Sequence, residues 1–207
     1  MEHKTRNAII IGCIFALLLF LPLFIKTAYV INFLVLVFLY VVVTQSWNIL
    51  GGYAGQVNIG QSAFFGMGAL VARMVWVSGM PIYIALVAGG FSSLVLAAFI
   101  IMPALRLRGA YFAIGTLALA VIIRITIGNI YPDLSFLPGK YLAAYALTPR
   151  YYVSLGLMVI TVVAIYLIVN SRLGLGMVAI REEEDAAGAS GIFTFKYKVI
   201  ALTVSSF

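Results

Sequence analysis

The stretch Ser171–Lys198, SRLGLGMVAIREEEDAAGASGIFTFKYK, is where an otherwise apolar chain becomes strongly charged. It holds four of the six acidic residues of the sequence, together with four basic ones: Glu182, Glu183, Glu184, Asp185, Arg172, Arg181, Lys196 and Lys198. Because lipid does not accept such a density of charge, this segment must face water. The apolar runs on either side of it then form the scaffold that presents it.

The composition of the whole chain defines its class. Of 207 residues, 64% are hydrophobic and only 9% are charged, which leaves too little polar surface for a water-soluble domain. Apolar runs of roughly 20 residues indicate membrane-spanning helices, whereas an outer-membrane barrel shows alternating segments of about 10. The sequence therefore predicts an all-α, polytopic membrane protein.

The apolar runs predict six complete transmembrane helices and the beginning of a seventh. The six are Ala8–Ile25, Val30–Leu50, Ile59–Ser78, Tyr83–Met102, Ala110–Gly128 and Tyr151–Asn170, and Val199–Phe207 begins the seventh. Lys and Arg are more numerous on the cytoplasmic side when the N-terminus is placed in the cytoplasm, as the positive-inside rule requires. We therefore expect a single transmembrane domain over residues 1–207, incomplete at its C-terminus, with a cytoplasmic loop at 171–198.

A second unusual stretch is Gly51–Leu70, GGYAGQVNIGQSAFFGMGAL. Glycine costs a helix interior roughly 1 kcal/mol relative to alanine, so this density predicts a broken helix or tight helix contacts. Transporters place broken helices beside their solute pathways, where freed backbone groups meet polar ligands. The candidate pathway residues are Gly52, Gly55, Gln56, Asn58, Gly60, Gln61 and Ser62. A close-packed helix crossing, with polar groups bonded across it, explains the same residues equally well.

Several kinds of chemistry lack the residues they need. Cys13 and His3 are the only cysteine and histidine, so we expect no zinc site, catalytic triad or Cys–His pair. No GxxxxGK[ST] motif is present to hold nucleotide phosphates, so any ATP would have to bind another subunit. The net charge of +7 is scattered over segment ends and does not predict nucleic-acid binding. We expect neither a metal nor a cofactor.

Three segments resemble one family. Asp185-Ala186-Ala187 followed by three residues and Gly191 resembles the Glu-Ala-Ala…Gly pattern in the cytoplasmic coupling loop of ABC-importer permeases. Its flanks are similar to the branched-chain amino acid permeases, and so are Gly51–Leu70 and LRLRGAYFAIGTLAL at 105–119. The chain departs from the pattern in having Asp185 for Glu and Gln61 where His is common. The downstream Leu-Pro element and the later spans of the family are absent.

The resemblance implies a membrane permease subunit of a binding-protein-dependent importer in a prokaryotic inner membrane. Its expected partners are cytoplasmic ATP-binding subunits, a second permease subunit, an extracytoplasmic solute-binding protein and the lipid bilayer. In the coupling loop, we expect a helix that begins near Arg181, ends at Gly191 and offers a low-relief face to the ATP-hydrolysing subunit. The expected coupling residues are Arg181, Glu182, Asp185, Ala186, Ala187 and Gly191.

Other interpretations stay open. Urea- or amide-type solutes fit the same pathway residues as branched-chain amino acids. A truncated, non-transporting membrane fragment fits the short seventh run. A membrane-embedded enzyme needs titratable groups gathered at one depth, and Arg73 and Arg124 are the only charges well inside the runs. We therefore expect the chain not to be an enzyme.

Overall fold

The computed structural model describes residues 15–25, 27–104, 107, 109–132 and 146–207. Over these ranges the chain is helical and contains no strand, which confirms the all-α prediction. His3, Cys13, Arg106, Arg108 and most of the loop expected at Asn129–Arg150 lie outside the described residues.

The helices follow one another with short connections. They are α1 Phe15–Phe24, α2 Ala28–Asn48 continued by a π-helical turn at Ile49–Tyr53, α3 Gln61–Val77, α4 Ile82–Ala104, α5 Ala110–Ile130, α6 Leu147–Val169, α7 Arg172–Glu182, α8 Glu184–Ala189 and α9 Thr194–Ser206. Within the described ranges, four helices are long and apolar enough to cross a membrane: Ala28–Tyr53, Ile82–Phe99, Ala110–Ile130 and Leu147–Val169. The apolar helices α1 and α3 are shorter than this.

Two helices begin a full turn or more before the positions that the sequence predicted. Helix α6 begins at Leu147 rather than Tyr151, because Pro149 falls in the first turn, where its missing N–H would have no partner anyway. Helix α9 begins at Thr194 rather than Val199 and therefore includes Lys198. A carboxylate partner for Lys198, described below, is what allows a lysine in a buried position there.

Close helix contacts hold the membrane part together. Helices α3 and α4 cross where Gly68 faces Gly89, and a Cβ added at Gly89 would lie 2.6 Å from the Gly68 carbonyl oxygen. Beside this crossing, the Ser93 hydroxyl donates a hydrogen bond of 2.8 Å to the Phe64 carbonyl oxygen. Glycine at such a crossing lets two backbones approach, which increases van der Waals contact between helices in lipid.

The largest hydrophobic cluster lies where the π-helical turn meets the last helices. Its buried members come from the π-helical turn, α3, α4, α5, α6, α7 and α9, and include Ile49, Leu50, Phe64, Phe112, Met177, Ala201 and Leu202. A second cluster packs α2 against α6 around Phe38 and Tyr151. The first cluster fixes the coupling loop and the glycine-rich stretch against each other.

The α3–α4 crossing yields a first prediction. Gly89→Ala places a methyl group against the Gly68 backbone and should lower the free energy of unfolding by about 1–3 kcal/mol, the usual penalty for overpacking. Gly66→Ala is the matched control, because a Cβ there meets nothing within 4 Å. Thermal unfolding of both variants in detergent measures the difference. Equal unfolding temperatures would contradict the close crossing.

Candidate functional site

The charged loop folds as two helices joined by one extended residue. Helix α7 begins after Ser171, whose hydroxyl oxygen accepts a hydrogen bond of 3.2 Å from the Leu173 N–H and so caps the helix. Glu183 then adopts an extended conformation, with φ −157° and ψ 105°, and separates α7 from α8. Helix α8 ends before Gly191, which has φ +84°.

The coupling helix therefore begins at Glu184. The sequence had predicted that it begins near Arg181. In a continuous helix from Arg172 to Ala189 the acidic run would lie in the interior, where the helix dipole does not favour negative charge. The break moves Glu184 and Asp185 into the first turn of α8, where the dipole favours them. Arg181 lies in the last turn of α7, where a cation is favoured.

The small residues of α8 do not all face outward. Asp185, Ala186 and Gly191 are exposed, and so are Gly188, Ala189 and Ser190 between them. Ala187 is only 6% exposed and packs against the chain itself, because one side of so short a helix must rest on the protein. Ala187 is therefore not exposed on the low-relief face expected of this helix, whereas Ala186, which was also expected there, and Ala189 are exposed.

Arg181 joins the coupling loop to the glycine-rich stretch. Its Nη1 donates a hydrogen bond of 3.0 Å to the Gly52 carbonyl oxygen. A Cβ added at Gly55 would lie 2.9 Å from the Arg181 Cγ, and Gly55 itself has φ +70°, a conformation that side chains rarely adopt. The structure thus brings together two candidate sites that the sequence presented separately.

The glycine-rich stretch is a broken helix, as predicted. The Ala54 N–H bonds to the Ile49 carbonyl oxygen at 3.1 Å, five residues back, which widens the end of α2 into a π-helical turn. The Gln56 N–H then bonds to the Leu50 carbonyl oxygen at 2.9 Å. The chain continues without helical structure until α3 begins at Gln61.

Asn58 organises the non-helical part of the stretch. It is 1% exposed, and its carbonyl oxygen accepts a hydrogen bond of 2.7 Å from Trp47 Nε1. Its Oδ1 accepts from the Gly60 N–H at 2.9 Å, and its Nδ2 donates to Gln61 Oε1 at 3.0 Å. Gln61 Nε2 in turn donates to the Ser205 carbonyl oxygen of α9 at 2.8 Å. In this arrangement the amides of Asn58 and Gln61 bond within the chain.

Gln56 differs from its neighbours. It is 7% exposed, yet its Oε1 has no hydrogen-bond partner among the described residues. A buried carbonyl without a partner costs about 1–3 kcal/mol, so its presence calls for a reason. Of the other candidate residues, Gly60 is buried against Thr116 of α5 and Ser62 is exposed.

One ion pair was not foreseen from the sequence. Lys198 Nζ lies 2.6 Å from Glu184 Oε1, and the lysine side chain is 4% exposed. Removing one partner of a buried pair leaves an uncompensated charge and typically costs about 3–5 kcal/mol. A lysine inside a run of apolar residues, close in sequence to an acidic cluster, was the available signal. Among the described residues, no cluster of His, Cys, Asp or Glu could hold a metal.

The apolar helices are long enough to cross a membrane, and the broken helix and the charged loop packed on it are features common in membrane transport proteins. The family model described as branched-chain amino acid transport system / permease component matches residues 29–207, and the chain belongs to this family. It is therefore a permease component of an ABC-type transport system, a class that works with ATP-binding subunits and solute-binding proteins. Neither the comparison with curated proteins nor that with solved structures gave a match.

The contact between Gly55 and Arg181 gives a second prediction. Gly55→Ala should be destabilising for two reasons, the positive φ, which costs about 1–2 kcal/mol, and displacement of Arg181 from Gly52. Gly79→Ala is the control, because Gly79 also has a positive φ but a Cβ there meets nothing within 4 Å. In detergent, the unfolding temperature of Gly55→Ala should be lower than that of Gly79→Ala. The reverse order would exclude a packed contact at Arg181.

Proposed function

We propose that this chain is a permease subunit of a binding-protein-dependent importer for branched-chain amino acids in a prokaryotic inner membrane. It couples ATP hydrolysis in a separate subunit to solute movement and has no enzymatic activity of its own. The observation that best supports this proposal is the contact of Arg181 with Gly52 and Gly55. A coupling loop that rests directly on a broken membrane helix can pass a movement of one to the other.

The proposed topology has six complete spans, the beginning of a seventh and a cytoplasmic N-terminus. The contact between Arg181 and Gly52 supports it, because the end of α2 and the loop after α6 must lie at the same membrane face. Helices α3 to α6 lie between them, and four crossings return the chain to the face where it started. In this topology α3 also crosses the membrane, although it is short, and its packing on α4 shields it from lipid.

The proposed docking surface is the exposed side of α8. Asp185 and Ala186 begin it, and the small residues Gly188, Ala189, Ser190 and Gly191 continue it. Because these side chains are short, a groove on an ATP-binding subunit can approach the helix backbone closely. Movement of that subunit would then displace α7, and Arg181 would carry the displacement to the broken helix. A second permease subunit and a solute-binding protein complete the proposed assembly.

The proposed pathway runs past the break in α2. Gln56 is the best candidate to bind the solute, because among the described residues no donor bonds to its buried Oε1. The ammonium group of an amino acid could donate a hydrogen bond to it. So could the N–H groups of urea or an amide, which makes a permease for such solutes the second candidate.

Docking through α8 can be tested by enlarging its surface. Ala186→Trp should abolish ATP-dependent leucine uptake by membrane vesicles, because an indole ring prevents close approach of a partner groove. Ala118→Trp, an equally large change at an exposed position of α5, should leave uptake unchanged. Membrane extraction and gel analysis check that both variants insert. Normal uptake by Ala186→Trp would rule out this docking surface.

A further substitution separates a solute contact from a structural role at Gln56. Gln56→Leu removes the unpaired buried oxygen at nearly constant volume, so it should raise stability or leave it unchanged. If Gln56 meets the solute, uptake of leucine or urea should nevertheless fall. Thermal unfolding and vesicle uptake, measured on the same preparation, give both quantities. Undiminished uptake would remove Gln56 from the pathway.

A further inference from the structure

The coupling loop is tied to the rest of the chain at a second place, on helix α9. Lys198 Nζ lies 2.6 Å from Glu184 Oε1, and their side chains are 4% and 24% exposed. Glu184 begins α8, whereas Lys198 lies one turn inside α9. An ammonium group so deeply buried requires a paired carboxylate, so the pair fixes the first turn of the coupling helix to α9.

The other end of α9 holds the broken helix. Ser205 lies seven residues after Lys198, so the two share one face of the helix at a separation of about 10 Å along its axis. The Ser205 carbonyl oxygen accepts a hydrogen bond of 2.8 Å from Gln61 Nε2, and the Ser205 hydroxyl donates to Gln61 Oε1 at 3.3 Å. Gln61 bonds to Asn58, which bonds to Trp47.

Helix α9 lacks the residues that commonly bend a helix. It contains neither glycine nor proline between Thr194 and Ser206. Ala201 and Leu202 are almost completely buried in the main hydrophobic cluster, between the ion pair and Ser205. A displacement at one end of such a helix reaches the other end without being absorbed by a bend.

We propose that α9 is a strut that transmits movement of the coupling helix to the glycine-rich break, with Lys198 and Glu184 as its positioning residues. This inference rests on the proposed function and adds a second route beside Arg181. The route runs from Glu184 through Lys198 and α9 to Gln61, Asn58 and Trp47. It requires the ion pair itself, not merely a filled volume at these two positions.

Trp47 offers a readout at the far end of the strut. In a Trp76→Phe background it is the only tryptophan of the chain, and its Nε1 bonds to Asn58. The experiment uses the chain purified together with its ATP-hydrolysing subunit, in a preparation where that subunit's own tryptophans are replaced. ATP is added, and both the Trp47 emission spectrum and ATP hydrolysis are recorded. With Lys198 and Glu184 unchanged, addition of ATP should change the emission of Trp47.

Lys198→Met and Glu184→Gln should each diminish the emission change while the ATP-hydrolysing subunit stays bound, because only the route through Arg181 then remains. The double reversal, Lys198→Glu with Glu184→Lys, should restore it, which a purely space-filling role would not do. Lys196→Met and Glu183→Gln are the controls, because both residues are exposed, lie close in sequence to the ion pair and should keep the change.

Each other outcome has a definite meaning. An emission change that is undiminished in Lys198→Met overturns the strut while the proposed function stands. A loss that the double reversal does not repair overturns the role of the ion pair. A chain that binds no ATP-hydrolysing subunit overturns the proposed function, and the strut falls with it.

Discussion

The hydrogen bond from Arg181 to the Gly52 carbonyl oxygen links parts of the chain 129 positions apart and joins its two polar segments. A broken helix leaves backbone carbonyl groups without helical partners, and these groups can accept hydrogen bonds from side chains elsewhere in the chain. Arg181 satisfies one of them. Gly55 allows the arginine to come close, because a side chain there would collide with it. The charged loop and the glycine-rich stretch thus complete each other.

The same constraint explains why polar residues are concentrated near this face. Asn58, Gln61 and Ser205 bond to one another and to backbone groups, and Lys198 is neutralised by Glu184. Each of these residues would be expensive to bury alone and is buried together with a partner. Gln56 is the exception among the candidate residues, which is why we connect it with a solute.

Much of the fold was predictable because long apolar runs identify membrane helices in a sequence. The break after α2 followed from glycine density, and the charged loop from the inability of lipid to hold its charges. What the sequence could not supply was contact across the chain. It gave no sign that Arg181 meets Gly52, that Ala187 turns inward or that α9 begins before Lys198. These three features depend on tertiary packing. A residue that would prefer water on its own can be buried when the fold supplies a partner or covers it.

The central claim is that residues 181–191 couple this permease to an ATP-hydrolysing subunit. The most direct measurement is purification of the tagged chain from its own membranes in mild detergent, beside a variant that lacks 181–191, followed by an ATP hydrolysis assay. The account predicts that hydrolysis co-purifies with the complete loop and is lost with the deletion, while both chains remain in the membrane. Hydrolysis that is absent from the first sample, or equal in both, would contradict it.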